Sequence, residues 1–158
     1  MITKEAIITG ASGHIGNRLA NFLLEKNYKL TLFLRRESEI SEFLKSKGAK
    51  IHICNFNDEN SYKDLLNPNS VVFHLASENT INTTNEKTTI NNTYGLTKSF
   101  ITSCLKVKVK KIIYTSSVVV LGRSKNKNNF ITINDSETDK NIPYVAGKIE
   151  AENWILKK

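Results

Sequence analysis

Tyr144 and Lys148 stand four residues apart near the C-terminal end of a 158-residue chain. On a helix that spacing puts both side chains on one face. An ammonium beside a phenol stabilises the phenolate and draws a phenol's pKa down from about 10 towards neutral pH. A tyrosine so placed can give or take a proton as a general acid or base. The lysine can also hold a ribose, and a hydroxyl from the upstream run Thr115-Ser116-Ser117 can orient a carbonyl. Tyr-x-x-x-Lys recurs by chance, so its weight depends on the elements around it.

The strongest of those surroundings is the run Ala6-Ile7-Ile8-Thr9-Gly10-Ala11-Ser12-Gly13-His14-Ile15-Gly16. An apolar strand enters a G-x-x-G-x-x-G turn, and an amphipathic helix leaves it. The first glycine permits the tight turn, the second lets a pyrophosphate approach the backbone, and the third lets helix pack closely on strand. The helix N-terminus then offers free N–H groups and its positive dipole end to phosphates. Strand before and helix after are the context that gives the motif meaning. Gly10, Ser12, Gly13, His14, Ile15 and Gly16 are therefore the expected pyrophosphate cradle.

Further candidates lie at the ends of later strands. Arg35 follows the second strand, 19 residues beyond Gly16. An acidic residue there would bind a ribose 2′-hydroxyl, whereas arginine suits a 2′-phosphate. Arg35, with Arg36 beside it, thus favours NADP over NAD. The alternative is a solvated charge pair, which sits poorly at a helix start. Asp58, after the third strand, either meets an adenine edge or caps the next helix. The fourth strand ends in His74-Leu75-Ala76-Ser77. Small side chains at Ala76 and Ser77 leave room for a cofactor's central riboses. His74 invites a catalytic role, but a histidine inside a buried strand is read here as a packed, hydrogen-bonded one.

The elements that must position these residues alternate from end to end. Strands are expected at Lys4–Thr9, Lys29–Leu34, Lys50–Cys54, Ser70–Leu75 and Lys110–Ser116. Helices are expected at Ile15–Lys26, Glu37–Lys47, Asp58–Leu66, Ile90–Val107 and Pro143–Lys157, by apolar periodicity, caps and Pro143 in the last helix's first turn. In the first helix Ile15, Leu19, Phe22 and Leu23 form the apolar stripe; in the fourth, Leu96, Phe100, Ile101, Cys104 and Leu105 do. Arg123–Asn141 is polar and reads as a loop. Five strands joined by helices imply a doubly wound parallel α/β sheet in three layers, with ligands at the strands' carboxyl ends.

Bulk properties exclude several classes. The length fits one domain, 1–158, with a real core. The hydrophobic content of 39% is within reach of a globular fold. No apolar run approaches the ~20 residues that span a bilayer, and no leader is read at the N-terminus. The formal charge is +8, but 19 lysines are scattered among 19 asparagines. The basic clusters lack interleaved aromatics, so no nucleic-acid partner is expected. Cys54 and Cys104 lack metal or redox spacing and read as buried thiols in a reducing cytoplasm. No metal site is expected.

Together these motifs resemble the extended branch of the short-chain dehydrogenase/reductase superfamily, the NAD-dependent epimerase/dehydratase family, over essentially the whole chain. The resemblance rests on Gly10/Gly13/Gly16, Phe73-His74-Leu75-Ala76, Asn92-Thr93-Tyr94-Gly95, Tyr114-Thr115-Ser116-Ser117 and Tyr144/Lys148. It implies a Rossmann-type fold and a bound NADP, NAD being possible. It implies Ser117 as the catalytic serine, Tyr144 as the acid/base and Lys148 as the ribose-binding lysine. It implies Asn92 as the helix asparagine that supports the site, with Leu75, Ala76 and Thr115 against the cofactor. Sugar-nucleotide 4,6-dehydratases of the branch carry Asp-Glu where Ser116-Ser117 stand, so no carboxylate is expected there for elimination. Arg35 and the Tyr144…Lys148…Ala151-Glu152 helix look closer to the dihydroflavonol-reductase-like carbonyl reductases.

Two departures stand out. Gly147 replaces the small hydroxyl residue usual before the lysine, at about 1 kcal/mol in helix propensity. Extended members also continue into a C-terminal substrate domain, which is expected to be absent here. The resulting expectation is an NADP-dependent oxidoreductase-type domain acting on a small carbonyl or alcohol, completed by dimerisation or a complementing chain. The alternatives are a dinucleotide-binding module without turnover, acting as sensor or scaffold, and a nucleotide-sugar epimerase fragment.

Overall fold

The computed structural model describes residues 4–78, 85–122 and 141–158. Strands β1 (Glu5–Thr9), β2 (Lys29–Leu34), β3 (Lys50–Ile53), β4 (Ser70–His74) and β5 (Lys111–Tyr114) form one sheet in the order β3-β2-β1-β4-β5. Every neighbouring pair is parallel. The chain therefore winds outward from β1 to β3, then returns to β4 on the other side of β1. That reversal is the topological switch point of a doubly wound, Rossmann-type sheet, where such folds bind their ligands.

Helices α1 (His14–Glu25) and α2 (Glu39–Ser46) connect the first three strands. Helix α3 (Glu86–Ile90), a π-helical turn (Asn91–Gly95) and α4 (Leu96–Val107) follow β4, and α5 (Pro143–Ile155) closes the described chain. Two compact units divide it: Met1–Ala76 with Ser99–Thr115, and Ser77–Lys98 with Ser116–Lys158. The loop expected at Arg123–Asn141 lies, apart from Asn141, outside the described residues.

In the first unit, alternation along the strands sorts side chains onto two faces. Ala6, Ile8, Leu30, Leu32 and Leu34 join Ala20, Leu23 and Leu44 of α1 and α2 in one buried cluster. The other face carries Phe33 and His74, whose rings lie 6.2 and 5.0 Å from Phe100 on α4. Tyr62 and Phe56 complete that aromatic group at 5.4 and 5.8 Å from Phe100. Covered on both faces, β1, β2 and β4 read as near-continuous apolar runs. Cys54 and Cys104 are buried free thiols, and burial pushes them up to about 11 and about 12.

Three expectations are corrected. Ile15 and Phe22 do not face the core; they are 61% and 53% exposed. The face that α1 buries is Gly16, Ala20 and Leu23, because small residues let the helix lie close to the sheet. The helix expected over Asp58–Leu66 is two short 3-10 turns, Glu59–Ser61 and Lys63–Leu65. The α2 helix starts later than expected because Ser38 caps it: Ser38 and Ser41 exchange side-chain and backbone hydrogen bonds at 3.2 and 2.8 Å.

Candidate functional site

In the first unit the glycine turn sits at the carboxyl end of β1, against the tail of β4. Gly10 has φ +77°, a left-handed conformation that favours glycine. A Cβ there would also lie 2.7 Å from the backbone nitrogen of Ala76. The two tails are tied by hydrogen bonds as well. Leu75 N donates to Thr9 O at 3.2 Å, and Ala76 N donates to Thr9 Oγ1 at 3.1 Å. Gly16 is buried where its neighbours Gly10 and Ala11 leave no space for a side chain. Gly13 is the N-cap of α1, and the first turn holds no acidic residue. Ser12, Gly13, His14 and Ile15 are all exposed. The helix thus turns an open N-terminus, with its free N–H groups, to solvent.

The remaining residues expected in this unit have separate surroundings. Arg35 is exposed just beyond β2. Asp58 is the N-cap of the first 3-10 turn, its Oδ1 accepting from Asn60 N at 3.0 Å. Thr115 N donates to His74 O at 3.1 Å, continuing the β4–β5 ladder past the strand ends. His74 is 2% exposed, shares a 2.8 Å hydrogen bond with Thr9 Oγ1 and stacks on Tyr114. It is the packed histidine the sequence led us to expect.

The second unit gathers Asn92, Ser117, Tyr144 and Lys148. Helix α5 packs on α3, on the π turn and on a 3-10 turn at Val118–Leu121. Pro143 occupies its first turn, and Val145, Gly147, Lys148 and Ala151 are buried. At Gly147 α5 lies close against the π turn: a Cβ there would lie 2.8 Å from Thr93 Cβ. Thr93 is itself buried, its Oγ1 donating to Thr89 O at 2.8 Å, while Thr97 Oγ1 donates to Thr93 O at 2.7 Å. Asn92 lies in the π turn, a feature that recurs at functional sites. Its Nδ2 donates to Glu78 Oε2 at 3.4 Å. Ser117 caps the 3-10 turn, Oγ accepting from Val119 N at 3.4 Å.

Tyr144 is half-buried and Lys148 only 3% exposed. Burial drives the Lys148 ammonium down from 10.5 to about 8, and the charge of Glu152 opposes that shift. Glu152, one turn further along α5, also accepts a hydrogen bond from Ser116 Oγ. The carboxylate that meets Ser116 thus comes from α5 and not from the sequence adjacent to it. Glu152, Glu78 and Thr93 were not among the expected site residues. The i, i+4 spacing of Lys148 and Glu152 was the available signal for the first. The contacts of the other two depend on the π turn, which has no clear mark in the sequence.

Residues 6–157 match the NAD dependent epimerase/dehydratase family. UDP-N-acetyl-alpha-D-glucosaminuronate decarboxylase of Bacillus cytotoxicus is 34% identical over 76% of this chain and 38% of its own length. Dihydroflavonol 4-reductase of Arabidopsis thaliana is 30% identical over 84% of this chain and 37% of its own. The chain thus spans about two fifths of the length of the curated relatives it matches. Among solved structures, the UDP-Glc/GlcNAc 4-epimerase from Campylobacter jejuni superposes with a TM-score of 0.80 at 18% identity, covering 98% of this chain and 48% of that one. At that identity the likeness speaks for the fold.

Proposed function

This chain belongs to the NAD-dependent epimerase/dehydratase family, and from that premise we propose that it is an NADP-linked domain of a carbonyl reductase, with Tyr144 as proton donor and acceptor. The observation that carries the reading is Lys148, an ammonium buried one turn from Tyr144 on α5. Burying a cation costs several kcal/mol, and an aliphatic side chain would fill the position without that cost. A charge kept there is intelligible if it serves the phenol, by favouring the phenolate as the proton leaves.

The dinucleotide, when bound, supplies or accepts the hydride at the substrate carbon. The residues present fit such a group. The tight glycine turn at Gly10 and the open, acid-free N-terminus of α1 suit a pyrophosphate. In this reading Gly10, Ser12, Gly13, His14, Ile15 and Gly16 hold it, Arg35 takes a 2′-phosphate and Asp58 meets the adenine edge. Leu75, Ala76 and Thr115 flank the riboses, while Tyr144 and Lys148 hold the nicotinamide ribose. Ser117 orients the substrate carbonyl, and Asn92 supports the site from the π turn.

A carbonyl compound with an apolar body suits this chain better than a sugar. Val118 to Leu121 follow Ser117 directly, none of their side chains can hydrogen-bond, and Val118 is 75% exposed. The test is a calorimetric titration of the chain with NADPH and, in parallel, NADH, followed by Tyr144→Phe. Saturable binding with NADPH preferred is expected, together with a 10²–10⁴-fold loss of carbonyl reduction in the variant at unchanged binding. No binding of either nucleotide would overturn the reading.

A further inference from the structure

Helix α5 places Tyr144, Lys148 and Glu152 at successive intervals of four, which is one face of one helix. Ser116, at the tail of β5, donates a hydrogen bond from its hydroxyl to the Glu152 carboxylate. Lys148 lies between Tyr144 and that carboxylate and is 3% exposed. We propose that Glu152 is a positioning residue for the Tyr144–Lys148 pair: its carboxylate keeps the buried Lys148 ammonium charged and clasps Ser116, holding the serine-bearing tail in register with α5. The proposal rests on the functional reading above, since it assigns Glu152 a part in sustaining the charge that serves Tyr144.

Among the described residues, the surroundings leave Glu152 well placed for that part. Burial lowers the Lys148 pKa, and the Glu152 charge works against that shift. The 3-10 turn Val118–Leu121, packed on α5, carries no titratable side chain. Helix α3 carries Glu86 and Lys87, both exposed and of opposite sign. The π turn carries Tyr94, whose ring lies under the Lys98 ammonium at 5.6 Å. Glu78 holds the Asn92 amide, and Glu150 on α5 itself is exposed. An opposite charge within about 4–6 Å of a titrating group typically moves its titration by one to three pH units. The Ser116 hydrogen bond holds one oxygen of that carboxylate.

The test separates charge from clasp. The full chain is labelled with ¹³C,¹⁵N-lysine, and the Lys148 signal is identified as the one missing from Lys148→Arg. Glu152→Gln keeps an acceptor for Ser116 and removes the charge; Ser116→Ala does the reverse. Lys148 is expected to lose its proton about one pH unit lower in Glu152→Gln than in the parent, and at nearly the parent's pH in Ser116→Ala. Glu152→Asp keeps the charge one methylene further back and is expected to titrate between parent and Gln, which serves if the Gln variant does not fold. An unchanged Lys148 titration in Glu152→Gln, or in Glu152→Asp where that alone folds, overturns the proposal. Because this readout needs neither nucleotide nor turnover, a chain that fails to bind NADPH while Lys148 still shifts would sink the reductase reading alone.

Discussion

A methyl group on Gly147 would meet Thr93 Cβ at 2.8 Å, closer than two such carbons approach. The glycine that looked like a helix-propensity defect is therefore a fitted surface. Gly147→Ala should gain about 1 kcal/mol of propensity but lose more to overpacking, typically 1–3 kcal/mol. The net expectation is a lower urea midpoint. Thr93→Ala in the same chain should recover part of the loss, and a double-mutant cycle would measure that coupling. A fully stabilising Gly147→Ala would show that α5 is not seated on the π turn.

Gly10→Ala should be harsher. The new Cβ would strike the Ala76 backbone at 2.7 Å in a backbone conformation with φ +77°. Backbone cannot step aside as a flexible side chain can. Loss of nucleotide binding with a fall in stability of about 1–3 kcal/mol is expected, read by calorimetry and denaturant melts on one preparation. Parent-like binding in this variant would remove the glycine turn from the cofactor site.

Arg35→Ala addresses nucleotide choice. If the exposed guanidinium meets a 2′-phosphate, its loss removes charge-assisted hydrogen bonds of about 1.5–3 kcal/mol. NADPH affinity should fall some 10- to 100-fold while NADH affinity stays nearly constant. Parallel losses for both nucleotides would assign Arg35 a general electrostatic role.

Lys148 makes a prediction about pH. Its folded pKa, about 8, lies below the ordinary 10.5, so between those values the unfolded chain binds more protons than the folded one. Stability from this group therefore rises with pH through that window, and below it the full cost of the buried ammonium is present. Lys148→Met should flatten the rise and, at pH 7, leave the chain as stable or more so. Carbonyl reduction should decline above about pH 8, as the ammonium discharges. A Met variant with the parent's stability slope between pH 8 and 10.5 would place the titrating group elsewhere.

Much of this molecule could be read before it was seen, for definite physical reasons. Strands covered on both faces, such as Ile7-Ile8 and Val71-Val72-Phe73, announce themselves by unbroken apolarity. The glycine turn at Gly10 and the Pro143 start of α5 rest on backbone rules that act locally. What escaped depends on distant partners. Ile15 and Phe22 matched a helical stripe, but Gly16 and Ala20 decide which face of α1 lies on the sheet. The π turn that carries Asn92 arises inside an otherwise ordinary helical run. Glu152 reaches Ser116 across 36 positions of sequence, so inspection of the serine's neighbours could not find it.

The sheet order leaves β3 and β5 at the two margins of the described strands. Both are four residues long and both open on an exposed lysine, Lys50 and Lys111. A short margin that begins with a fixed positive charge is a poor template for another chain's backbone, since two such margins repel before they can pair. Acetylating those lysines would strip that protection and favour self-association, a change light scattering would register while the sheet itself stays intact.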